Sequence, residues 1–462
     1  MFFLYILYIE TMKSKQKKED PCSSDFIKDE KVLSIIKKRL SVREEEKNLY
    51  GEVFTPIELI CDMFNKLPKN VWMNPNLKWL DPAGGIGNFS VVAYYKLFET
   101  LKTKIPNSTK RSKHIIENML YMVELNPVNI RVCKKIFKMI DNKAIPNIAK
   151  NDFLKFKGFK DVDKFDVIMG NPPYQKKVGS NKSYTIWHIF VIDSIEKFLN
   201  KNGYLVFVHP NGWRDIKGFY RKVYDLIIER ELMSLTMRDY KAGAQTFGGS
   251  WTNFDYYCLR NKLSTKNKTK INDIDHKEFN MDLNDYDFIP SGKFDVFEKL
   301  KGKKGKHELV DIIYSSSAYE TRGKPISKHP ISNKKDNVNY KYHIINTITK
   351  KKGPSFIYSN EKDPNIFIPK VIWSNGIGTY PIIDSKGEYG LTQFSYGISD
   401  EPKNLKYIKE AMEHKDFIEL NKYLMGQKNK YNYKIIGTFK KDFYKHFLSN
   451  KKQKKTIKKK KK

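Results

Sequence analysis

Residues 77–102 read LKWLDPAGGIGNFSVVAYYKLFETLK, and their reading decides the fold. LKWLD (77–81) has the apolar run of a buried strand, NFSVVAYYKLFETLK (88–102) reads as a helix, and DPAGGIGNF (81–89) turns one into the other. Gly84, Gly85 and Gly87 let the backbone turn tightly and let a ligand reach the main chain where a side chain would collide. The same residues also suit an ordinary tight loop, so the flanks must discriminate.

The flanks repeat the alternation. YMVEL (121–125) reads as a strand and PVNIRVCKKIFKMI (127–140) as a helix with Val128, Val132 and Phe137 on or near one face. FDVIMG (165–170) is a strand, SYTIWHIFVIDSIEKFL (183–199) a helix, GYLVFVHP (203–210) a strand and DIKGFYRKVYDLIIER (215–230) a helix. Strand-like LMSLTMR (232–238) and TNFDYYCLR (252–260) close the region. Strands alternating with helices predict an α/β fold with a mostly parallel sheet. Ligands of such sheets bind beyond the carboxyl ends of the strands.

Beyond this block, NKLSTKNKTKIN (261–272) has the composition of a linker. Residues 273–440 carry short β-like runs such as NIFIPKVIW (365–373) and YPIIDSKGEYGLTQFSYGI (380–398), broken by Gly, Asn, Ser and Pro. The expected organisation is an N-terminal extension over 1–50, partly disordered and helical, an α/β domain over 51–262, a β-rich domain over 273–440 and a disordered lysine tail over 449–462. The opening MFFLYILYIE is shorter than the ~20 residues of a membrane span and lacks the features of a signal peptide. Met12, followed by KSKQKKED, is a candidate biological start beside Met1, and no membrane association is expected.

The formal charge of +34, from 86 Lys and Arg against 52 Asp and Glu, favours a polyanionic partner. A chain rich in Lys, Asn, Ile, Tyr and Phe could also reflect an AT-rich genome. Cys22, Cys61, Cys133 and Cys258 form no CxxC pair, which predicts a reducing compartment, no zinc site and no disulfide framework.

Three further positions carry chemistry. Asp81, at a strand end, can accept from an amine or hydroxyl. Glu124, at the next strand end, can take both hydroxyls of a ribose, as an acid does in dinucleotide folds. Their spacing of 43 positions exceeds the ~20 of the dinucleotide fingerprint, which favours a nucleoside site instead. In NDF (151–153), Asp152 can meet an adenine amino group and Phe153 can cover the ring, although Asn-Asp alone is turn chemistry.

GNPPY (170–174) follows the strand FDVIMG. An exocyclic amine conjugated to an aromatic ring is a poor nucleophile, because its lone pair is delocalised. Two acceptors aimed at its N–H bonds favour the tetrahedral geometry of the transition state. The Asn171 side-chain oxygen and the Pro172 carbonyl can be those acceptors. Pro172 and Pro173 stiffen the loop, and Tyr174 can stack on a flat base.

In the order GEVFTP (51–56), DPAGGIGNF (81–89), VELNP (123–127), NDF (151–153), GNPPY (170–174) and GYLVFVHPNGW (203–213), the chain resembles the gamma class of DNA N6-adenine methyltransferases, the TaqI-like enzymes of restriction-modification systems. The resemblance spans roughly 50–260 and extends more loosely to YKIIGTFKKDFYKHF (433–447). It implies a Rossmann-like S-adenosylmethionine-dependent methyltransferase fold followed by a target-recognition domain. It also implies S-adenosylmethionine lying across Thr55, Pro56, Asp81, Gly84, Gly85, Gly87, Glu124, Asp152 and Phe153. A flipped adenine would sit against Asn171, Pro172, Pro173 and Tyr174. The family's second stacking aromatic matches Phe247 in AQTFGGSWTNFDYY, with Trp251 as the fallback. Two departures, Gly84 after DPA and Ile86 before the last glycine, remove no glycine that the turn needs.

The resemblance further implies double-stranded DNA as partner, a monomer, a separate cognate restriction endonuclease as a further candidate partner, and a cytoplasmic site, or a host nucleus or viral factory if a eukaryotic virus encodes it. Other readings stay open: methylation of an RNA exocyclic amine or a protein glutamine amide, or an idle DNA-recognition subunit. Glu45-Glu46-Lys47 fits half of a nuclease motif but has no PD strand ahead of it. Sequence recognition is expected over 273–440, where Tyr319, Trp373, Tyr380 and Phe394 could be DNA contacts or simply core.

Overall fold

The alternating apolar runs fold as strands and covering helices in the computed structural model, which describes residues 27, 29–39, 55–178, 182–216, 218–248, 251–264, 266, 268–284, 286–303, 305–315, 331–336, 338–374, 380–424 and 432–448. Met12, Glu45-Glu46-Lys47, Tyr319 and the lysine tail lie outside the described residues. The chain divides into two compact units, one of 1–213 and 217–286, the other of 214–216 and 287–462.

The first unit contains β1 (Trp79–Asp81), β2 (Leu120–Glu124), β3 (Asn147–Lys150), β4 (Phe165–Gly170), a hairpin of β5 (Gln175–Val178) and β6 (Lys182–Thr185), then β7 (Leu199–Pro210), β8 (Arg230–Arg238), β9 (Phe254–Leu263), β10 (Lys268–Asn272) and β11 (Glu278–Asp282). Nine of them form one sheet in the order β11-β10-β8-β9-β7-β4-β1-β2-β3. β3, β2, β1, β4 and β7 run parallel; β9 is antiparallel to both β7 and β8. Strand order reverses between β1 and β4, because β2 and β3 continue to one side and β4 returns to the other. That switch point opens a crevice at the carboxyl ends of β1 and β4, the place where such sheets bind ligands.

Helices α1 (Ile57–Phe64), α2 (Asn88–Thr100) and α3 (Pro127–Ile140) cover the sheet. Phe64, Trp72, Trp79 and Phe89 pack edge-on or tilted at centroid distances of 4.7–6.4 Å. The buried face of α3 is Asn129, Ile130, Cys133, Ile136 and Phe137. Val128 and Val132 are only half-buried, so the true face includes the polar Asn129, which a hydrophobic reading passes over. Cys61 is disulfide-bonded, while Cys133 and Cys258 are free and buried. This corrects the expectation of unpaired cysteines; wide spacing along the chain does not measure distance in the fold. Among the described residues no helix is long and apolar enough to cross a membrane.

The presumed linker 261–272 is the end of β9 and all of β10, which pairs in parallel with β8 while β11 closes the edge. The first unit therefore runs to Tyr286. Small polar residues mask this, because Thr269 and Ile271 alone carry the strand's buried face.

The second unit is β-rich. One sheet orders β12 (Asp311–Tyr314), β19 (Ser395–Ser399), β16 (Lys370–Ser374) and β17 (Ile382–Asp384); the other orders β13 (Ile331–Ser332), β15 (Gly353–Ser359), β14 (Tyr342–Thr349) and β18 (Tyr389–Leu391). Ile313, Ile345, Ile348, Ile372 and Leu391 form a shared core. Trp373 is fully buried, Tyr380 is exposed and Phe394 half-buried.

Candidate active site

The glycine-rich turn forms because two of its positions leave little or no room for a side chain. Gly87 has φ +93°, and a Cβ there would lie 2.8 Å from Cys133 Sγ on α3. A Cβ on Gly84 would lie 3.2 Å from the Cβ of Met122 on β2. The Gly84 N–H donates to Val123 O at 3.0 Å, so the turn leans against β2 and brings its backbone beside Glu124. Glu124 accepts from the Gly85 N–H through Oε2 at 2.7 Å and from the Asn126 N–H through Oε1 at 2.6 Å. Each carboxylate oxygen has two lone pairs, so these bonds orient the group without exhausting it.

Asp81 sits beneath the turn instead of facing the cleft. It is 1% exposed and accepts from the Ala83 N–H at 3.2 Å. A Cβ on Gly170 would come within 3.0 Å of its Oδ1, so Gly170 is needed for the ends of β1 and β4 to lie together. Burial raises the Asp81 carboxyl to about 8, opposed by the Ala83 bond and reinforced by Glu124.

The cleft beside this turn is lined by Thr55, Ala83 to Ile86, Asn88, Glu124, Asp152, Phe153, Asn171, Pro173 and Lys176, among others. The structure thus brings together most of the residues expected from sequence. Pro56, Asp81, Gly87, Pro172, Tyr174 and Phe247 are not part of its lining. Thr55 ties the two halves together: its carbonyl accepts from Asn88 Nδ2 at 3.1 Å, and its Oγ1 accepts from Asn171 Nδ2, also at 3.1 Å. With Nδ2 donating to Thr55, the Oδ1 end of the Asn171 amide is left as its acceptor end.

Asp152 accepts from the Leu154 N–H at 3.1 Å and from Lys176 Nζ at 3.3 Å. An incoming amine would share Asp152 with Lys176. The Phe153 ring stacks on Phe190 at 5.1 Å and 25°, so it belongs to an aromatic cluster as well as to the cleft wall. Tyr174 and Phe247 meet edge to face, 6.4 Å between centroids and 83° between planes. Phe247 is 6% exposed; Trp251 is 68% exposed and lies beside Tyr240. The Tyr174 hydroxyl is buried without a hydrogen-bond partner among the described residues, and burial raises its titration.

Asn88 and Lys176 were not singled out from sequence. Asn88 ends the glycine turn, where an amide side chain at a helix start was the available signal; Lys176 reaches the cleft only because β5 folds back beside Asp152.

A doubly wound sheet, a glycine-rich turn at its switch point and an Asn-Pro-Pro-Tyr loop on the adjacent strand define the S-adenosylmethionine-dependent methyltransferase class of α/β folds. Residues 28–247, a little under half of the chain, match the family model described as Eco57I restriction-modification methylase. It is 27% identical over 209 residues to Type II methyltransferase M.VspI of Vibrio sp. (strain 343), covering 42% of this chain and 45% of that protein. It is 22% identical over 303 residues to Modification methylase CviBIII of Paramecium bursaria Chlorella virus NC1A, covering 59% and 73%. An uncharacterised adenine-specific methylase of Mycoplasma pneumoniae is 29% identical over 35% of this chain and 55% of its own. The chain therefore spans about half the length of the Vibrio and Mycoplasma relatives that it matches. Among solved structures, the Type IIL restriction-modification enzyme MmeI in complex with DNA aligns with a TM-score of 0.43 at 11% identity, covering 89% of this chain and 67% of that one.

Proposed function

We propose that this chain methylates N6 of adenine in duplex DNA at a specific site, using S-adenosylmethionine, as the modifying arm of a restriction-modification or genome-marking system. The observation that carries the reading is the meeting of Asn171 with the glycine-rich turn and Glu124 in one cleft. The donor set suits the cofactor: the glycines admit a ligand to the main chain, Glu124 suits paired hydroxyls, and Asp152 suits an amino group. When bound, S-adenosylmethionine supplies an electrophilic methyl group.

The chain's own residues do the rest. Asn171 Oδ1 and the Pro172 carbonyl accept from the two N–H bonds of N6 and favour its nucleophilic geometry. Thr55 holds the Asn171 amide in orientation. The base must leave the duplex at a cost of a few kcal/mol, and Tyr174 and Phe247 receive it. Their edge-on contact means that one of the two rings turns to sandwich a base. Alignment of the reacting atoms supplies much of the acceleration. The β-rich unit reads the sequence, a separate endonuclease would complete the pair, and the protein works as a monomer in the compartment that holds the DNA.

The test is expression in a host lacking adenine methylation, with single-molecule sequencing of its DNA. N6-methyladenine confined to one short motif is the expected result. Unmodified DNA, with the protein folded and binding S-adenosylmethionine, overturns the reading.

A further inference from the structure

The segment DPNIFIPK (363–370) breaks its strand pattern at Phe367. Only Lys370–Ser374 pairs as a strand, and Phe367 has φ +75°, a left-handed conformation costly for a bulky L-residue. Its side chain is 68% exposed, so burial does not offset that cost. Lys362 Nζ stands 4.0 Å from the ring centroid.

The turn beneath is held from several sides. The Phe367 N–H donates to Gly387 O at 2.7 Å, and Gly387 approaches so closely that a Cβ there would lie 2.4 Å from the Phe367 carbonyl carbon. Asp363 caps the turn, accepting from the Asn365 N–H at 2.8 Å. Below it the fully buried Lys370 Nζ donates to Asn365 O at 2.9 Å, to Ile368 O at 3.0 Å and to Asp384 Oδ2 at 2.9 Å. Asp384 also accepts from the Glu388 and Tyr389 N–H groups. A buried, hydrogen-bonded ion pair thus braces a strained turn that presents one aromatic ring to solvent. Strain of this kind persists where the surroundings impose it, and it clusters at ligand contacts.

We propose that Phe367 contacts duplex DNA, stacking on or wedging beside a base while Lys362 meets the adjoining phosphate. This rests on duplex DNA being the substrate, as proposed above. A flat apolar ring stacks on any base, wedges of this type enter duplex steps, and the chain's charge of +34 favours a polyanion. Glu361 and Glu388 are also exposed beside the turn, so the ring, and not a pooled positive charge, is its distinguishing feature.

The experiment uses the full chain with Phe367→Ala, Phe367→Gly and Phe367→Trp. Binding to labelled genomic duplex fragments is measured at physiological salt, where diffuse lysine contacts are weakened. The Ala and Gly variants should bind about tenfold more weakly and Trp near wild type. Gly should melt above Ala, because glycine adopts this φ freely. Ala binding within about twofold of wild type overturns the proposal; so does Gly melting below Ala, which would make the turn's conformation unstrained. Methyl transfer by wild type is read separately on the same fragments. Absent transfer with the Phe367 effect intact overturns the methylation reading alone; transfer with unchanged binding overturns the Phe367 contact alone. Wild type that does not bind the fragments overturns both.

Discussion

Asp81→Asn tests how the turn is built. Burial raises the Asp81 carboxyl from 3.8 to about 8, so between those values the folded chain holds a proton that the unfolded chain has released. The unfolded state then binds fewer protons, and stability falls as pH rises through this window. The stability is fully present below the ordinary carboxylate range and is lost progressively up to about 8. Each pH unit costs about 1.4 kcal/mol from this group, or about 3 kcal/mol between pH 5 and pH 7. Asparagine keeps an acceptor for the Ala83 N–H and cannot ionise. The variant should therefore gain about 3 kcal/mol relative to wild type on moving from pH 5 to pH 7. Urea unfolding followed by tryptophan fluorescence reads the correct unit, since Trp72, Trp79, Trp187, Trp213 and Trp251 share it with Asp81 and only Trp373 lies in the other. Parallel stability–pH curves for the two proteins would refute the reasoning and mean that Asp81 is ionised in the fold.

Asn171→Ala should abolish methyl transfer and leave DNA binding largely intact, as a transfer assay with a gel-shift control would reveal; retained activity sinks the assignment. Tyr174→Phe removes a buried hydroxyl that has no hydrogen-bond partner among the described residues while keeping the ring, so thermal unfolding should show a gain of about 1 kcal/mol with turnover preserved. Gly87→Ala places a Cβ 2.8 Å from Cys133 Sγ at φ +93°; it should cost roughly 2 kcal/mol or more, and adding Cys133→Ala should relieve the steric part and leave the backbone part. Lys370→Met strands the buried Asp384 carboxylate; denaturation of the β-rich unit should show a loss of about 3–5 kcal/mol.

Much of the catalytic fold was legible because the signals are short-range. FDVIMG is β4 from end to end, and PVNIRVCKKIFKMI is α3 from end to end, its start marked by Asn126 and Pro127. Where a local signal had two readings, distant residues chose. SYTIWHIFVIDSIEKFL begins as β6 and becomes helical only at Trp187, because Lys182–Thr185 pairs with the strand after the Asn-Pro-Pro-Tyr loop. NIFIPKVIW reads as one strand, yet Gly387 and the Lys370–Asp384 pair hold its first half in a turn.

The residue types that do chemistry, the order of the strands' motifs and the class of fold follow from sequence by itself, since each rests on a few neighbouring side chains and their period. Tertiary structure alone decided which of those residues face the cleft. Asp81 and Glu124 both end strands of one sheet, but Gly170 closes over the first while the glycine turn leans its N–H groups toward the second. Burial and orientation depend on what other segments bring alongside, and no local pattern encodes that.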